Sequence, residues 1–262
     1  MHFTKMQGLG NDYLYVYGEV PENIATLSQK LSDRHFGAGA DGMIYISPSG
    51  IADFKMRIFN ADGSEAMMCG NGIRCVGKYV YDKGYTDKTF LRIETLSGIK
   101  SLQLQVSGGK VKAATVYMGT AEAAPERELS ACGERLVYTP VSVGNPHAVV
   151  FVEDVNLVPL DTLGPAVEKH PDFPGGVNVE FVQVLSEKQL RMRVWERGSG
   201  VTMACGTGSC ASVAAAVQKG YCRVGKPVSV DLDGGTLEIR VDAAGEVQMT
   251  GPAEFVYEGE TI

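Results

Sequence analysis

Two cysteines sit in glycine-rich loops that the chain builds twice. Cys69 lies in MRIFNADGSEAMMCGNGIRC (56–75) and Cys205 in MRVWERGSGVTMACGTGSC (192–210). Aligned without a gap, Met56, Arg57, Cys69, Gly70 and Gly72 fall on Met192, Arg193, Cys205, Gly206 and Gly208, each pair 136 positions apart. In both stretches Cys-Gly-x-Gly opens a helix-forming segment. A thiol there meets N–H groups without intrahelical partners and the positive end of the helix dipole. That environment is expected to draw a cysteine from its ordinary pKa of about 8.5 towards neutrality. The glycines let backbone approach an anion, so the same N–H groups can hold a carboxylate. One such loop can serve a nucleophile, a phosphate site or a redox thiol. Two loops point to a substrate held between two thiols. One thiol takes a proton from one face of a carbon and the other returns a proton to the opposite face, which inverts a stereocentre.

The remaining cysteines are 75, 132, 210 and 222. Cys75 and Cys210 fall further into the helices and read as packing residues. Cys132 and Cys222 belong to no motif. A buried inert thiol is the usual state of cysteine. The polar, glycine-rich setting of Cys69 and Cys205 argues against it for those two. No C-x-x-C pair occurs and there are four histidines, so a zinc site is disfavoured. A disulfide scaffold is disfavoured for a chain of this length and compartment.

The elements that must position the loops also come twice. Residues 3–17 read as a strand–turn–strand around Gly-Leu-Gly-Asn-Asp. Apolar positions at 24, 27 and 31 predict a helix closed near Gly37, and GAGADGMIYI a glycine-rich loop entering a strand. A strand over 54–59, a polar loop over 60–68, a helix over 70–81 and strands over 89–119 follow. The second half repeats the order: SVGNPHAVVF (142–151) answers GLGNDYLYVY (8–17), then come a helix over 163–170, a strand over 190–195, the second cysteine loop and strands over 227–257. Offsets of 134 to 137 throughout indicate an internal duplication. The unit is far longer than a solenoid repeat, so the expected fold is α/β (mixed α+β) with two pseudo-symmetric lobes. The expected division is 1–118 with Cys69 and 119–251 with Cys205, the strand over 252–262 packing back on the first. The stretch 120–140, with Pro125 and Pro140, reads as the connection.

The chain has 262 residues, 44% of them apolar, enough for a sizeable core. A net charge of −7 without a Lys/Arg cluster argues against nucleic acid or an anionic membrane as partner. No apolar run approaches membrane-spanning length, and MHFTKMQGLGNDY lacks the apolar segment of a signal peptide. A cytoplasmic protein is expected.

NADGSEAMMCGNGIRC and ERGSGVTMACGTGSCA resemble the two catalytic signatures of the diaminopimelate epimerase family. GLGNDY near the start, GNPHAV at 144–149 and the GVNVEF segment at 176–181 match as well, in the family's order. The resemblance spans essentially the whole chain. It implies an isomerase without pyridoxal, metal or other cofactor that interconverts LL- and meso-2,6-diaminopimelate, a step towards lysine and peptidoglycan precursors. It also implies lobes with a central helix wrapped by strands, a site in the cleft between them, and a homodimer. Cys69 and Cys205 would be the acid/base thiols, Cys205 accepting and Cys69 donating in the LL-to-meso direction. Gly70, Asn71, Gly206 and Thr207 would offer N–H groups to the carboxylate on the reacting carbon. Asn11, Asn60, Asn145 and Asn178 would bond the amine and carboxylate groups. Arg197 would clamp the distal carboxylate, Glu196 would orient or balance an amine, and His147 would tune a thiol. The competing reading is a turn or Asx cap for each asparagine, a structural histidine for His147 and a surface salt bridge for Arg197.

Two positions depart from the family pattern: Gly42 stands where many members carry Gln, and Val201 where many carry Glu, as Glu65 stands four residues before Cys69. A proline or hydroxyproline racemase shares the two-thiol logic, but its first motif typically has His where Asn71 stands. A two-lobed amino-acid-binding protein without turnover would need the N–H groups but not two thiols. A cysteine hydrolase would leave the second cysteine unused.

Overall fold

The computed structural model describes residues 1–261. In chain order the first elements are β1 (His2–Gly8), β2 (Asn11–Tyr17), α1 (Ile24–Ser32), β3 (Gly42–Pro48), β4 (Phe54–Asn60), β5 (Glu65–Ala66), α2 (Gly70–Asp82), β6 (Phe90–Thr95), β7 (Gly98–Ser107) and β8 (Lys110–Thr120). There follow β9 (Glu122–Ala123), β10 (Arg127–Ala131), β11 (Glu134–Ser142), β12 (Pro146–Phe151), a 3-10 turn (Val155–Leu157), α3 (Leu160–Glu168), β13 (Asn178–Ser186) and β14 (Gln189–Glu196). The last are β15 (Gly200–Val201), α4 (Gly206–Gln218), β16 (Val228–Leu232), β17 (Gly235–Val241), β18 (Glu246–Gly251) and β19 (Glu254–Glu260). The chain divides into two compact units, Met1–Val116 with Thr250–Ile262, and Tyr117–Met249.

The same topology is built in each unit. In the first, β2 pairs in parallel with β3 across α1, and β4 with β6 across α2. In the second, β12 pairs in parallel with β13 across α3, and β14 with β16 across α4. Parallel pairing requires a crossover, and the helices supply it. The registers agree as well: Leu14 faces Met43 where Ala148 faces Val179. The duplication read from the sequence is therefore a duplication of strand pairing, not of one motif. In the first unit the C-terminal β19 adds antiparallel to β1.

One helix forms the core of each unit. Ten of the thirteen residues of α2 are buried, and ten of the thirteen of α4. Strand can close on α2 because Gly77 has no side chain: a Cβ there would stand 2.8 Å from Leu104 Cδ2. In α4 the run CASVAAAV provides small side chains on every face, which suits a helix enclosed all round. The other helix of each unit covers a sheet face by one stripe. Ile24 and Leu31 of α1 pack on Leu14, Met43 and Phe59, and Leu160, Leu163 and Val167 of α3 on Ala148, Val179 and Phe181.

Two expectations are corrected. The stretch 120–140 is not a bare connection: it holds β9 and most of the antiparallel β10–β11 hairpin of the second unit. Pro140 lies within β11 opposite Ala148, and its carbonyl accepts the Ala124 N–H at 2.9 Å. The helix expected over 163–170 begins at Leu160, the first residue of its buried stripe, and ends at Glu168.

Candidate active site

Each candidate thiol caps its unit's core helix. Cys69 is the N-cap residue of α2, and its Sγ accepts the Gly72 N–H at 3.3 Å. Cys205 is the N-cap residue of α4, and its Sγ accepts the Gly208 N–H, also at 3.3 Å. Both have the extended backbone that an N-cap needs, with φ −137° and −117°. Sulfur here takes the place of the usual hydroxyl or carboxylate cap, so each thiol is held at the positive end of a buried helix.

Around Cys69 the partners are polar. Its thiol donates to Asn11 Oδ1 at 3.2 Å. The Asn11 amide in turn donates to Asp41 Oδ2 at 2.8 Å. Asp41 also accepts from Arg34, which bridges to Asp12, and Lys5 completes the cluster at 2.8 Å from Asp12. Burial alone would raise the Asp12 carboxyl, but Arg34 and Lys5 outweigh it and hold the group below its usual range. Asn71 is buried and accepts from Arg74 Nη2 at 3.0 Å, while Arg74 Nη1 donates to the Gly70 carbonyl at 3.2 Å. Asn60 ends β4 and donates to the Ser64 hydroxyl at 3.0 Å. Glu65 is committed to Arg57 at 2.6 Å. In the second unit, where Val201 replaces that acid, Arg193 instead approaches Asp233 at 3.5 Å. Gly42 has a local cause: a Cβ there would lie 2.2 Å from the Phe59 carbonyl oxygen.

Around Cys205 the partners are ionisable. Thr207 Oγ1 lies 3.6 Å from its sulfur and accepts from Asn145 Nδ2 at 3.4 Å. Asn145 Oδ1 is 3.1 Å from His147 Nε2, and His147 Nδ1 is 2.7 Å from Glu180 Oε1. Glu196 accepts from Thr202 and from Cys205 itself. Burial pushes the Cys205 thiol well up, and the carboxylates of Glu196 and Glu180 push the same way, against donors from Thr207 and Gly208. The helix terminus does not win here: the thiol expected near neutrality is held protonated, because it is enclosed and faces two acids. Burial also raises Glu196, partly offset by its bonds from Thr202 and Cys205.

Asn178 is buried with both ends of its amide engaged by backbone. Its Nδ2 donates to the Pro146 carbonyl at 3.1 Å, and its Oδ1 accepts the Arg197 N–H at 3.0 Å. It thereby ties the start of β13 to the loop carrying Arg197. The Arg197 guanidinium is exposed, donates to the Gly175 carbonyl at 3.1 Å, and has no carboxylate partner among the described residues. Glu168 supports the same loop, accepting from Trp195 Nε1 at 2.6 Å and from the Gly198 N–H at 3.0 Å. Among the described residues no group of three or more His, Cys, Asp or Glu could hold a metal ion, and no helix is long and apolar enough to cross a membrane.

Glu180, Asp41 and Glu168 were not legible as site residues from spacing alone. Each reaches its partner across roughly thirty positions of sequence, and Glu180 sits between Val179 and Phe181 in a buried stretch of β13.

The diaminopimelate epimerase family profile matches residues 3–124 and 139–256. The diaminopimelate epimerase of Acetivibrio thermocellus is 50% identical over 276 residues, covering 99% of this chain and 98% of the relative. That of Methanococcus maripaludis is 50% identical over 276 residues, covering 99% of each. In fold, the chain is similar to a probable proline racemase from Agrobacterium radiobacter solved with bound carbonate. The TM-score is 0.76 at 17% identity, over 100% of this chain and 92% of that one. With the family's profile along nearly the whole chain and half the residues shared with named relatives, this chain belongs to the diaminopimelate epimerase family and is an isomerase.

Proposed function

We propose that the chain interconverts LL-2,6-diaminopimelate and meso-2,6-diaminopimelate by two-base chemistry, with Cys69 and Cys205 as the acid/base pair and no pyridoxal, metal or other cofactor. The observation that carries this reading is the matched capping of α2 and α4, each by a cysteine whose sulfur accepts the helix's third N–H at 3.3 Å. Two equivalent thiols are what removal and return of a proton on opposite faces of one carbon require.

In the LL-to-meso direction Cys205 first gives up to solvent the proton that its burial favours; its thiolate then takes the α-proton, the electron pair is held on the carbon and its carboxylate, and the Cys69 thiol delivers a proton to the other face. The reverse direction starts with the proton on Cys205. The α-carboxylate is met by N–H groups at Gly70, Asn71, Gly206 and Thr207, and helix N-termini stabilise the charge that develops on it. Asn11, Asn60 and Asn145 orient the amine and carboxylate groups. Asn178 acts by holding Arg197, whose guanidinium takes the distal carboxylate as a two-pronged donor. Glu196 and His147 set the ionisation of Cys205. We place the enzyme in the cytoplasm as a homodimer, serving lysine and peptidoglycan precursor synthesis.

The test is turnover of LL-diaminopimelate in deuterated water. The expected result is meso product carrying deuterium at the inverted α-carbon while unreacted LL substrate stays unlabelled in the first turnovers, since each face has its own base. Product without deuterium would overturn the reading.

A further inference from the structure

The largest fully buried side chain among the described residues is a charged one, Arg74. It is the fifth residue of α2. Helix side chains lean towards the N-terminus, so this one lies back over the first turn. Its Nη1 donates to the Gly70 carbonyl at 3.2 Å, its Nη2 to Asn71 Oδ1 at 3.0 Å and its Nε to the Pro252 carbonyl at 3.1 Å. All three nitrogens of the planar group are thus engaged. Gly8, the last residue of β1, makes room for it: a Cβ there would stand 3.1 Å from Arg74 Nη2 and 3.3 Å from the Asn71 carbonyl oxygen. The guanidinium therefore sits where three segments of the first unit meet. These are the α2 turn that follows Cys69, the end of β1 that leads to Asn11, and the Pro252 link between β18 and β19.

The duplication does not repeat this arrangement. At the position 136 residues on stands Cys210, also buried. The two units share a simpler brace on the first turn of the core helix. The Gly72 carbonyl accepts from the Tyr15 hydroxyl at 3.3 Å, and the equivalent Gly208 carbonyl from the Ser212 hydroxyl at 2.8 Å. The guanidinium on Gly70 and Asn71 is what the first unit adds. Burying a charge is costly, and α4 shows that such a turn is held without one. The Gly70 carbonyl and the Asn71 N–H belong to a single peptide unit, and that N–H is one of the donors assigned above to the carboxylate on the reacting carbon. A cationic donor on the carbonyl fixes the peptide plane and polarises the N–H at its other end. Arginine has no acceptor, so it also decides that Oδ1 is the end of the Asn71 amide turned towards it.

The geometry points to Arg74 as a positioning residue that aims the Gly70–Asn71 peptide at the substrate carboxylate and strengthens it as a donor. It acts through that peptide. The carboxylate gains charge as the α-proton leaves, so the donor counts for more in the transition state than in the bound substrate. Only the first unit's half of the carboxylate cradle is served this way; the Gly206–Thr207 peptide of α4 is held independently. The inference rests on the epimerase reading and on the carboxylate lying at this turn.

The test uses the full-length enzyme and Arg74→Lys, which keeps the charge but loses the planar fork that reaches three acceptors together. The assay runs well below the melting point of the variant. With LL-diaminopimelate the expected loss is about thirtyfold in kcat/KM, in the range for hydrogen bonds to a charged group, shared between a higher KM and a lower kcat. In ¹H–¹⁵N spectra of the free variant the Asn71 N–H should move upfield of its wild-type position, with the Thr207 N–H unmoved. A brace that only holds the fold, or a role for the charge alone, leaves kcat and KM at their wild-type values. That result, or an unmoved Asn71 signal, would overturn the proposal. Should the variant not fold, the wild type answers alone. Once the Asn71 N–H donates to the substrate its carbonyl partner accepts more strongly, so saturating diaminopimelate should move the Arg74 Nη signals downfield. Arg74 signals that stay in place while the Thr207 N–H responds would overturn the proposal with the epimerase reading intact. If substrate moves neither Asn71 nor Thr207 and is not epimerised, the epimerase reading fails, and this inference with it.

Discussion

Asn11 donates its side-chain amide to Asp41 Oδ2 over 2.8 Å, and this decides which end of Asn11 meets the Cys69 thiol. With Nδ2 held, Oδ1 faces the sulfur at 3.2 Å. Asp41→Asn keeps an acceptor but offers donors of its own and gives up the ion pair to Arg34. The expected loss is about tenfold in kcat/KM, the worth of one well-placed hydrogen bond, with the fold retained by circular dichroism. Unchanged kinetics would mean that Asn11 is oriented by something else.

Glu168 anchors the Arg197 loop through two donors, Trp195 Nε1 and the Gly198 N–H. Its removal should act on substrate capture and not on proton transfer. For Glu168→Ala we expect KM to rise about tenfold, in line with two lost hydrogen bonds at a half-exposed site, and kcat to change by less than half that factor. A fall in kcat with KM unmoved would contradict a distal-carboxylate role for this loop.

Gly72 and Gly208 are equivalent, but a methyl group meets different neighbours at each. At Gly72 it meets the Ile44 tip at 2.7 Å and Met56 Cε at 3.2 Å, ends of flexible side chains. At Gly208 it meets the buried Glu180 carboxyl at 2.6 Å and the Cys205 sulfur at 3.2 Å. Overpacking costs about 1–3 kcal/mol where neighbours cannot yield. Gly208→Ala should therefore lower Tm more than Gly72→Ala and abolish most activity. Equal melting points would show that the Glu180 carboxyl is free to move.

Much of this was legible in the sequence where the signal is local. The Cys-Gly-x-Gly loops, the helices they open and the 136-residue echo are each contained in short stretches, and α2 and α4 begin one residue after their cysteines. What local pattern could not show is which acids the fold buries. Glu180 lies within NVEFV, which reads as an ordinary buried strand, and nothing in the sequence marks that its carboxyl turns to His147. The hairpin over 127–142 was hidden by Pro125 and Pro140, which read as a connection. Pro140 is tolerated in β11 because it needs only its carbonyl there. The thiol of Cys205 was expected near neutrality because a helix terminus is visible in sequence, whereas enclosure beside two acids is not.

Buried thiols make stability fall in alkali. Burial pushes the fully enclosed Cys75 thiol up to about 11 and Cys205 well above its ordinary value. A group whose folded pKa is raised contributes stability below its unfolded pKa, about 8.5 for a thiol, and loses it as pH rises through the folded value. Tm should hold from pH 7 to about 8.5 and decline over roughly pH 9 to 11. Cys75→Ala should melt lower at neutral pH but decline less steeply; an unchanged slope would assign the alkaline loss elsewhere.

The most direct test of the two-thiol account is the stereochemical preference of the two single mutants in a reaction that needs one base. Elimination of fluoride from a β-fluorinated diaminopimelate requires removal of the α-proton alone. Cys69→Ala and Cys205→Ala should each lose nearly all epimerase activity, since one transfer has no partner. Cys69→Ala, retaining Cys205, should still eliminate fluoride from the isomer with the L configuration at the reacting carbon. Cys205→Ala, retaining Cys69, should do so from the D isomer. Opposite preferences are the predicted result. Substantial epimerisation by either mutant, or the same isomer preferred by both, would contradict the two-base mechanism for this protein.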